Sequence, residues 1–353
     1  MKKSNWIMLL AIVLLVSFTL AACAPKAEEP TAEVPSAEQP SAEQPQSEEP
    51  DSEQPEETFV FGQIAHDKNI EWVKYGSEAF EAACIDMGVE PVIVDAQNNM
   101  EKVLAGMEDL LARGVDAVSV YSFSPDLDAR VAKMAREAGI PIVFENAVPG
   151  DDVDRDSVTC CTYYDIGYAV AEFIGEKYPG KKFAFVMGQP GMNITEPYVQ
   201  GLEDAIKAGA QCEMVEKLST NWTAEEAMSQ TETLIQSGKQ YDVIFANNEQ
   251  IAQGVLKALD AAGLKGKIPV VATGGSPLGI QMLSDGDLDA TIAAPTSYMG
   301  AMSAKKLYAL VNGETVEEMT YVPLLPATKE NVDAIVPWEY GPKVIEAVGG
   351  LPN

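Results

Sequence analysis

Residues 241–262, YDVIFANNEQIAQGVLKALDAA, read as a buried strand that runs into an amphipathic helix through Asn247, Asn248 and Glu249. Val243, Ile244 and Phe245 form the short apolar run of a parallel strand covered on both faces, and Ile251, Val255, Leu256, Leu259 and Ala262 recur at helical spacing. In an open parallel sheet the carboxyl ends of the strands line the ligand crevice, which places Asn248 against something small and polar. The unit repeats along the chain. Strands at 59–64, 91–95, 117–121 and 141–145 alternate with helices near 70–87, 100–113 and 127–138. A second series has strands at 183–187, 214–218, 243–246, 270–273 and 290–293, with helices starting near Ile166, Pro197, Ala224, Glu249 and Leu278. Gly88, Gly114, Gly139 and Gly263 stand where helices must end. The pattern predicts an α/β fold of two doubly wound parallel-sheet lobes with a cleft between them.

The N-terminal region is of a different kind. Lys2 and Lys3 precede an apolar run from Trp6 to Leu20, which at 15 residues is short for a membrane span of about 20 and reads as an export signal over 1–22. Leu20, Ala21, Ala22 and Cys23 resemble the lipobox of bacterial lipoproteins, which implies a lipid on Cys23 and a membrane anchor. A simple secretory signal cut nearby is the alternative. Within the segment 23–57, proline recurs at 25, 30, 35, 40, 45, 50 and 55 among Ala, Glu, Ser and Gln, with eleven acids against Lys26. No core can form from it, and proline with self-repulsion makes it an extended tether. The chain carries −30 at pH 7; removing +2 from Lys2 and Lys3 and −10 from the tether leaves −22 on residues 58–353. Nucleic acid is thereby disfavoured as a partner.

Besides Cys23 there are Cys84, Cys160, Cys161 and Cys212, in a compartment that permits disulfides. Cys160 and Cys161 are adjacent in an expected strand over 157–162, so their side chains point to opposite faces and a bond between them is disfavoured. Cys84 shares an apolar helical stripe with Val73, Phe80 and Met87 and reads as a buried free thiol.

The segments VDAQNNMEKVLAGMEDLLARGVDAVSVYSFSPD, MAREAGIPIVFEN, NWTAEEA, IFANNEQIAQGVLKAL and SDGDLDATIA, in this order, resemble the ribose-type (LacI-like) sugar-binding proteins that feed ABC importers. The likeness spans residues 58 to about 323. It implies the periplasmic binding protein type I fold with three crossings between lobes. Residues 58–161 with 295–323 would form one lobe, and 162–294 with 324–353 the other.

The resemblance also implies a site. Trp222 falls where the family stacks an aromatic on its ligand, and a flat apolar face suits a sugar or base ring; Thr223 with Glu225 and Glu226 equally reads as a helix start on which Trp222 packs. Asn248 matches a ligand-binding asparagine and is also a natural helix N-cap. Asp67 falls near a polar ligand position. The family's aromatic pair falls on Asn69 and Ile70, with Trp72 close enough to substitute. Glu145 and Asn146 replace an Asp-Arg pair, Glu196 an arginine, Gly274 an aspartate and Ala294 a glutamine. Asp67, Glu145 and Glu196 together would make the pocket acidic and favour a ligand bearing an amine. Alternatively Glu196, before Pro197, complements the dipole of a helix start. His66 is a ligand contact or a solvated loop residue, and one histidine builds no metal site. Tyr121, Tyr163 and Tyr164 lie at expected cleft edges.

Signals for chemistry are weak. GGSPLG at 274–279 is no nucleophile elbow, because Leu278 stands where glycine is required. GQPGMN at 188–193 lacks the third glycine of a dinucleotide loop, and DDVDRD at 151–156 lacks the spacing of a calcium loop. The expectation is a monomeric extracytoplasmic lipoprotein without catalysis, cofactor or metal. It would capture a sugar-like polar ligand by hinge closure and deliver it to an ABC permease and its ATPase. A sensory protein presenting its ligand to a membrane receptor or kinase, and a binder of an amine-bearing or nucleoside-like ligand, are the alternatives.

Overall fold

The structure, a computed structural model, describes residues 58–191 and 194–352. The export signal, Cys23 and the Pro/Glu tether lie outside the described residues. The first series of strands forms where the pattern puts it: β1 (Val60–Ala65), β2 (Glu90–Asp95), β3 (Ala117–Tyr121), β4 (Ile142–Asn146) and β5 (Ser157–Cys160), interleaved with α1 (Glu71–Asp86), α2 (Met100–Ala112) and α3 (Pro125–Ala138). The chain then crosses into α4 (Tyr163–Lys177), β6 (Lys181–Met187), α5 (Thr195–Ala208), β7 (Cys212–Ser219), α6 (Ala224–Gln236), β8 (Val243–Ala246), α7 (Glu249–Ala261), β9 (Val270–Gly274), α8 (Pro277–Asp285) and β10 (Ala290–Ala293). It returns through α9 (Thr296–Val311) and β11 (Met319–Tyr321) to β12 (Leu325–Ala327) and ends in α10 (Pro342–Ala347).

The strands sort into two six-stranded sheets, β11-β5-β4-β3-β1-β2 and β12-β10-β9-β8-β6-β7. The first is parallel throughout. In the second only the edge strand β12 runs antiparallel, pairing Thr291 with Ala327. Burial explains the strand sequences: all four residues of β8 and of β10 are buried, as sheets covered by helices on both faces require. Phe185 and Phe245 stack at 4.4 Å between neighbouring strands of the second sheet.

Two differences from the sequence reading follow from tertiary pairing, in β5 and in the C-terminal segment. β5 stops at Cys160, so Cys161 begins the first crossing and is not a strand residue. The four described cysteines are all free and buried. The C-terminal segment, read as part of the second lobe, divides between the two. Ile335 packs with the second lobe's core around Ala293. Beyond it, Tyr340 donates to Asp86 Oδ2 on α1 at 2.6 Å, and Lys305 Nζ on α9 donates to Val348 O at 2.7 Å. Residues 336–340 are therefore a fourth passage between the lobes, beside those after Cys160, Ala293 and Tyr321.

Candidate ligand-binding cleft

The carboxyl ends of both sheets present loops whose side chains are the candidates. Asn146 ends β4 with φ +76, a left-handed conformation that asparagine tolerates better than most residues. Its Oδ1 accepts from Trp72 Nε1 at 3.1 Å and from the Tyr163 hydroxyl at 3.2 Å. Burial pushes Tyr163 up to about 12, so its phenol stays protonated. An indole N–H can only donate, which fixes the amide with its oxygen toward Trp72. The Asn146 amide nitrogen has no acceptor among the described residues.

Asn248 has the same polarity from the opposite lobe. It is the N-cap of α7, and its Oδ1 accepts from Ile251 N at 2.8 Å, which satisfies one orphan donor of the helix start. Its amide nitrogen too lacks a described acceptor. Both lobes thus offer amide N–H groups at strand ends, and such groups pair with acceptor oxygens.

Trp222 has φ +71, an unfavourable conformation for a bulky residue and of the kind that concentrates at ligand sites. Its indole lies over Gly188, where an added Cβ would fall 2.1 Å from Trp222 Cζ2. The bare backbone of Gly188 makes room for the ring, and Thr223 caps α6 behind it. Across the cleft, His66 stacks on Phe123 at 4.8 Å and tilts against Tyr121 at 5.4 Å. Burial holds the imidazolium down, against the raising pull of Asp67 and Asp95. His66 belongs to an aromatic cluster and is not a solvated loop residue.

The carboxylates do not come together. Asp67 Oδ1 accepts from Asn69 N and Nδ2 at 3.0 and 2.9 Å, turning inward on its own loop. Glu145 is 2% exposed. It accepts from Gln63 Nε2 at 3.1 Å and from the Ser119 hydroxyl, and burial pushes it up to about 7. Glu196 is exposed in the first turn of α5, where its Oε1 accepts from Gly191 N at 2.6 Å; that bond holds its carboxyl below the usual range. No contact joins these three groups.

Gly274, with φ +136, ends β9 against Glu249: an added Cβ would lie 2.1 Å from Glu249 Oε2. Glu249 is buried at the first position of α7. It clips the 274–276 loop by accepting from Gly275 N at 2.6 Å, and it also accepts from Thr291 Oγ1 at 2.7 Å. Burial raises this carboxyl to about 7 as well.

The floor of the cleft is aromatic. Tyr163 stacks on Tyr198 at 5.6 Å, and Tyr198 bonds Thr273 Oγ1 at 3.2 Å. Close approach of α4 and α5 brings these rings together, and glycine permits it: a Cβ on Gly201 would fall 2.0 Å from Tyr164 O. Trp338, which the sequence reading missed, donates from Nε1 to Gly274 O and Ala294 O at 3.0 and 3.2 Å. Its ring also meets Trp72 edge-on at 5.4 Å. The only local signal was a lone tryptophan between Pro337 and Tyr340 in a stretch without periodicity. Among the described residues no cluster of His, Cys, Asp and Glu could hold a metal.

Comparison with known proteins gives a consistent picture. The periplasmic binding protein domain family matches residues 61–315. The provisionally named rhizopine-binding protein of Rhizobium meliloti is 28% identical over 255 residues, 69% of this chain and 82% of that one. The ribose import binding protein RbsB of Bacillus subtilis (strain 168) is 26% identical over 254 residues, covering 69% and 78%. Among solved structures, an ABC transporter solute-binding protein from Bacillus halodurans C-125 with bound myo-inositol superposes with a TM-score of 0.69 at 25% identity, covering 78% of this chain and 96% of its own.

Proposed function

The chain belongs to the periplasmic binding protein domain family, and we propose that it is an extracytoplasmic solute-binding lipoprotein that captures a neutral sugar or cyclitol between its lobes for an ABC importer. The observation behind the ligand class is the matched pair of amides. Asn146 and Asn248 both spend their oxygens on the protein and keep their N–H groups free among the described residues. Such donors suit the oxygens of a polyhydroxylated ring, and the Trp222 indole suits its CH face. Because Glu145 is enclosed in the first lobe, Asp67 bonds its own loop and Glu196 holds Gly191 N in the loop before α5, these three acids do not form the convergent carboxylates that a cationic ligand would need. One relative is named for ribose and another has bound myo-inositol, both neutral ligands, and a third is named for rhizopine.

Cys23 would hold the protein to the outer face of the membrane, with the proline-spaced segment as spacer. Closure of the lobes on the ligand would present one shape to the permease, since ligand shifts the open and closed populations only through contacts made better in one of them.

The test is thermal denaturation of the purified chain against pentoses, hexoses, inositols, nucleosides and amines. At 100 times its dissociation constant a ligand adds about 2.7 kcal/mol. Stabilisation by a pentose, hexose or inositol supports the reading; stabilisation by amines alone, or by nothing in the panel, overturns it. Membrane attachment is tested separately: Cys23→Ser should release the protein from the membrane fraction, and continued anchoring would defeat the lipoprotein assignment.

A further inference from the structure

Trp338 lies beyond the region that matches the family, which ends at residue 315, yet it touches both sides of the candidate site. It is 6% exposed, so it offers a ligand almost no surface of its own. Its single donor is shared between two carbonyls, Gly274 O at 3.0 Å and Ala294 O at 3.2 Å. These are the two positions where the resemblance expects an aspartate and a glutamine. Here both side chains are gone, and the backbone oxygens left behind are bound by an indole.

The same ring reaches the first lobe. It meets Trp72 edge-on at 5.4 Å and Tyr75 at 6.0 Å, both on α1. Trp72 in turn donates to Asn146 Oδ1. The passage is pinned on either side of the tryptophan, by Ser297 Oγ donating to Pro337 O at 2.5 Å and by Tyr340 donating to Asp86 at 2.6 Å. A short rigid route therefore runs from the end of β9 through Trp338 and Trp72 to the amide of Asn146.

We propose that Trp338 is a positioning residue of the cleft: acting through Trp72, it holds the Asn146 amide with its N–H groups toward the ligand, and through Gly274 and Ala294 it ties that donor to the wall of the opposite lobe. The proposal rests on the sugar-binding reading for its consequence, but its geometry is testable without a ligand. An amide whose oxygen is not held in place can turn over, presenting acceptor and donor in equal measure; a Trp72 ring packed on one side by Trp338 prevents this. The ligand class that benefits is one offering an acceptor oxygen at this point and no N–H donor.

The experiment uses the full chain and three variants. Trp338→Phe keeps an aromatic ring and removes the donor, Trp338→Ala removes both, and Val344→Ala loosens α10 in the same segment through a fully buried side chain without touching the site. Titration with D-ribose and with myo-inositol gives affinity and off-rate, and amide and indole NMR reports Trp72 Nε1–H and Asn146 Nδ2–H2 in the ligand-free protein. Loss of one buried hydrogen bond predicts about tenfold weaker binding for Trp338→Phe, expressed in the off-rate, and a larger loss for Trp338→Ala. Val344→Ala should lower the melting temperature and leave affinity unchanged. The Trp72 indole and Asn146 amide signals should move in both Trp338 variants and stay in place in Val344→Ala. Equal affinity changes in Trp338→Phe and Val344→Ala, or unmoved Trp72 and Asn146 signals, overturn the proposal. If the unmodified chain binds neither probe while those signals still move, the sugar reading fails for these probes and the positioning role stands.

Discussion

Replacing Glu145 by glutamine should remove a pH dependence of stability that the native chain carries. Glu145 is enclosed by Gln63 and Ser119, and no lysine or arginine pairs with it among the described residues. Burial raises it from the usual 4.5 to about 7, a rise that corresponds to about 3 kcal/mol. Between those two pH values the folded protein keeps a proton that the unfolded chain has lost. Its contribution is therefore complete below pH 4.5 and is lost as the pH climbs through 7. Glutamine copies the protonated form, with one oxygen to accept from Gln63 and an amide nitrogen to donate to Ser119. Urea denaturation of both proteins at intervals from pH 4.5 to 8.5 gives the difference in unfolding free energy, in which every other titration cancels. That difference should shift in favour of Glu145→Gln by about 3 kcal/mol across the range. A difference constant with pH would show that Glu145 titrates normally, and the enclosed carboxylate would have to be abandoned.

Other outcomes follow from single residues. Asn248→Asp keeps an oxygen for Ile251 N but removes the amide donor, so it should leave the melting temperature near that of the native chain while weakening binding of the stabilising sugar tenfold or more. Gly274→Asp should lower stability by about 2 kcal/mol or more in the same urea assay, because φ +136 strains any side chain and the new Cβ meets Glu249 at 2.1 Å. The four buried thiols should stay closed to a charged thiol reagent until the protein unfolds, since burial pushes Cys160 and Cys212 up to about 11 and the other two higher. A thiol titration under native and denaturing conditions reads this directly.

The fold was legible because its strands are covered on both faces. An apolar run such as Val243–Ala246 followed by a capped helix needs little tertiary information to be recognised. The missed elements are the long helix α9, whose buried residues include Thr296, Ser297, Ser303 and Lys306 and so show no one-sided apolar stripe, and those that exist only through pairing. β11 and β12 have three residues each and owe their conformation to β5 and β10, more than 150 and more than 30 residues away. α10 is likewise placed by α9 and not by its own pattern. At the site, chain position selected Trp222 and Asn248, but side-chain direction was not legible. Glu145 and Asn146 are neighbours in sequence, and a strand turns them to opposite faces, one into the core and one to the cleft. Trp338 was invisible because its partners, Trp72, Gly274 and Ala294, lie 44 to 266 residues away and converge only once both lobes are built.

The central claim is that a neutral polyol binds between the lobes through Asn146, Asn248 and Trp222. Isothermal titration of the purified chain with the sugar that stabilises it best, repeated for Trp222→Ala and for Asn248→Asp, tests this most directly. The account predicts one ligand per chain and affinity reduced at least tenfold by either substitution. Unchanged affinity in both variants would place the ligand elsewhere and contradict the account.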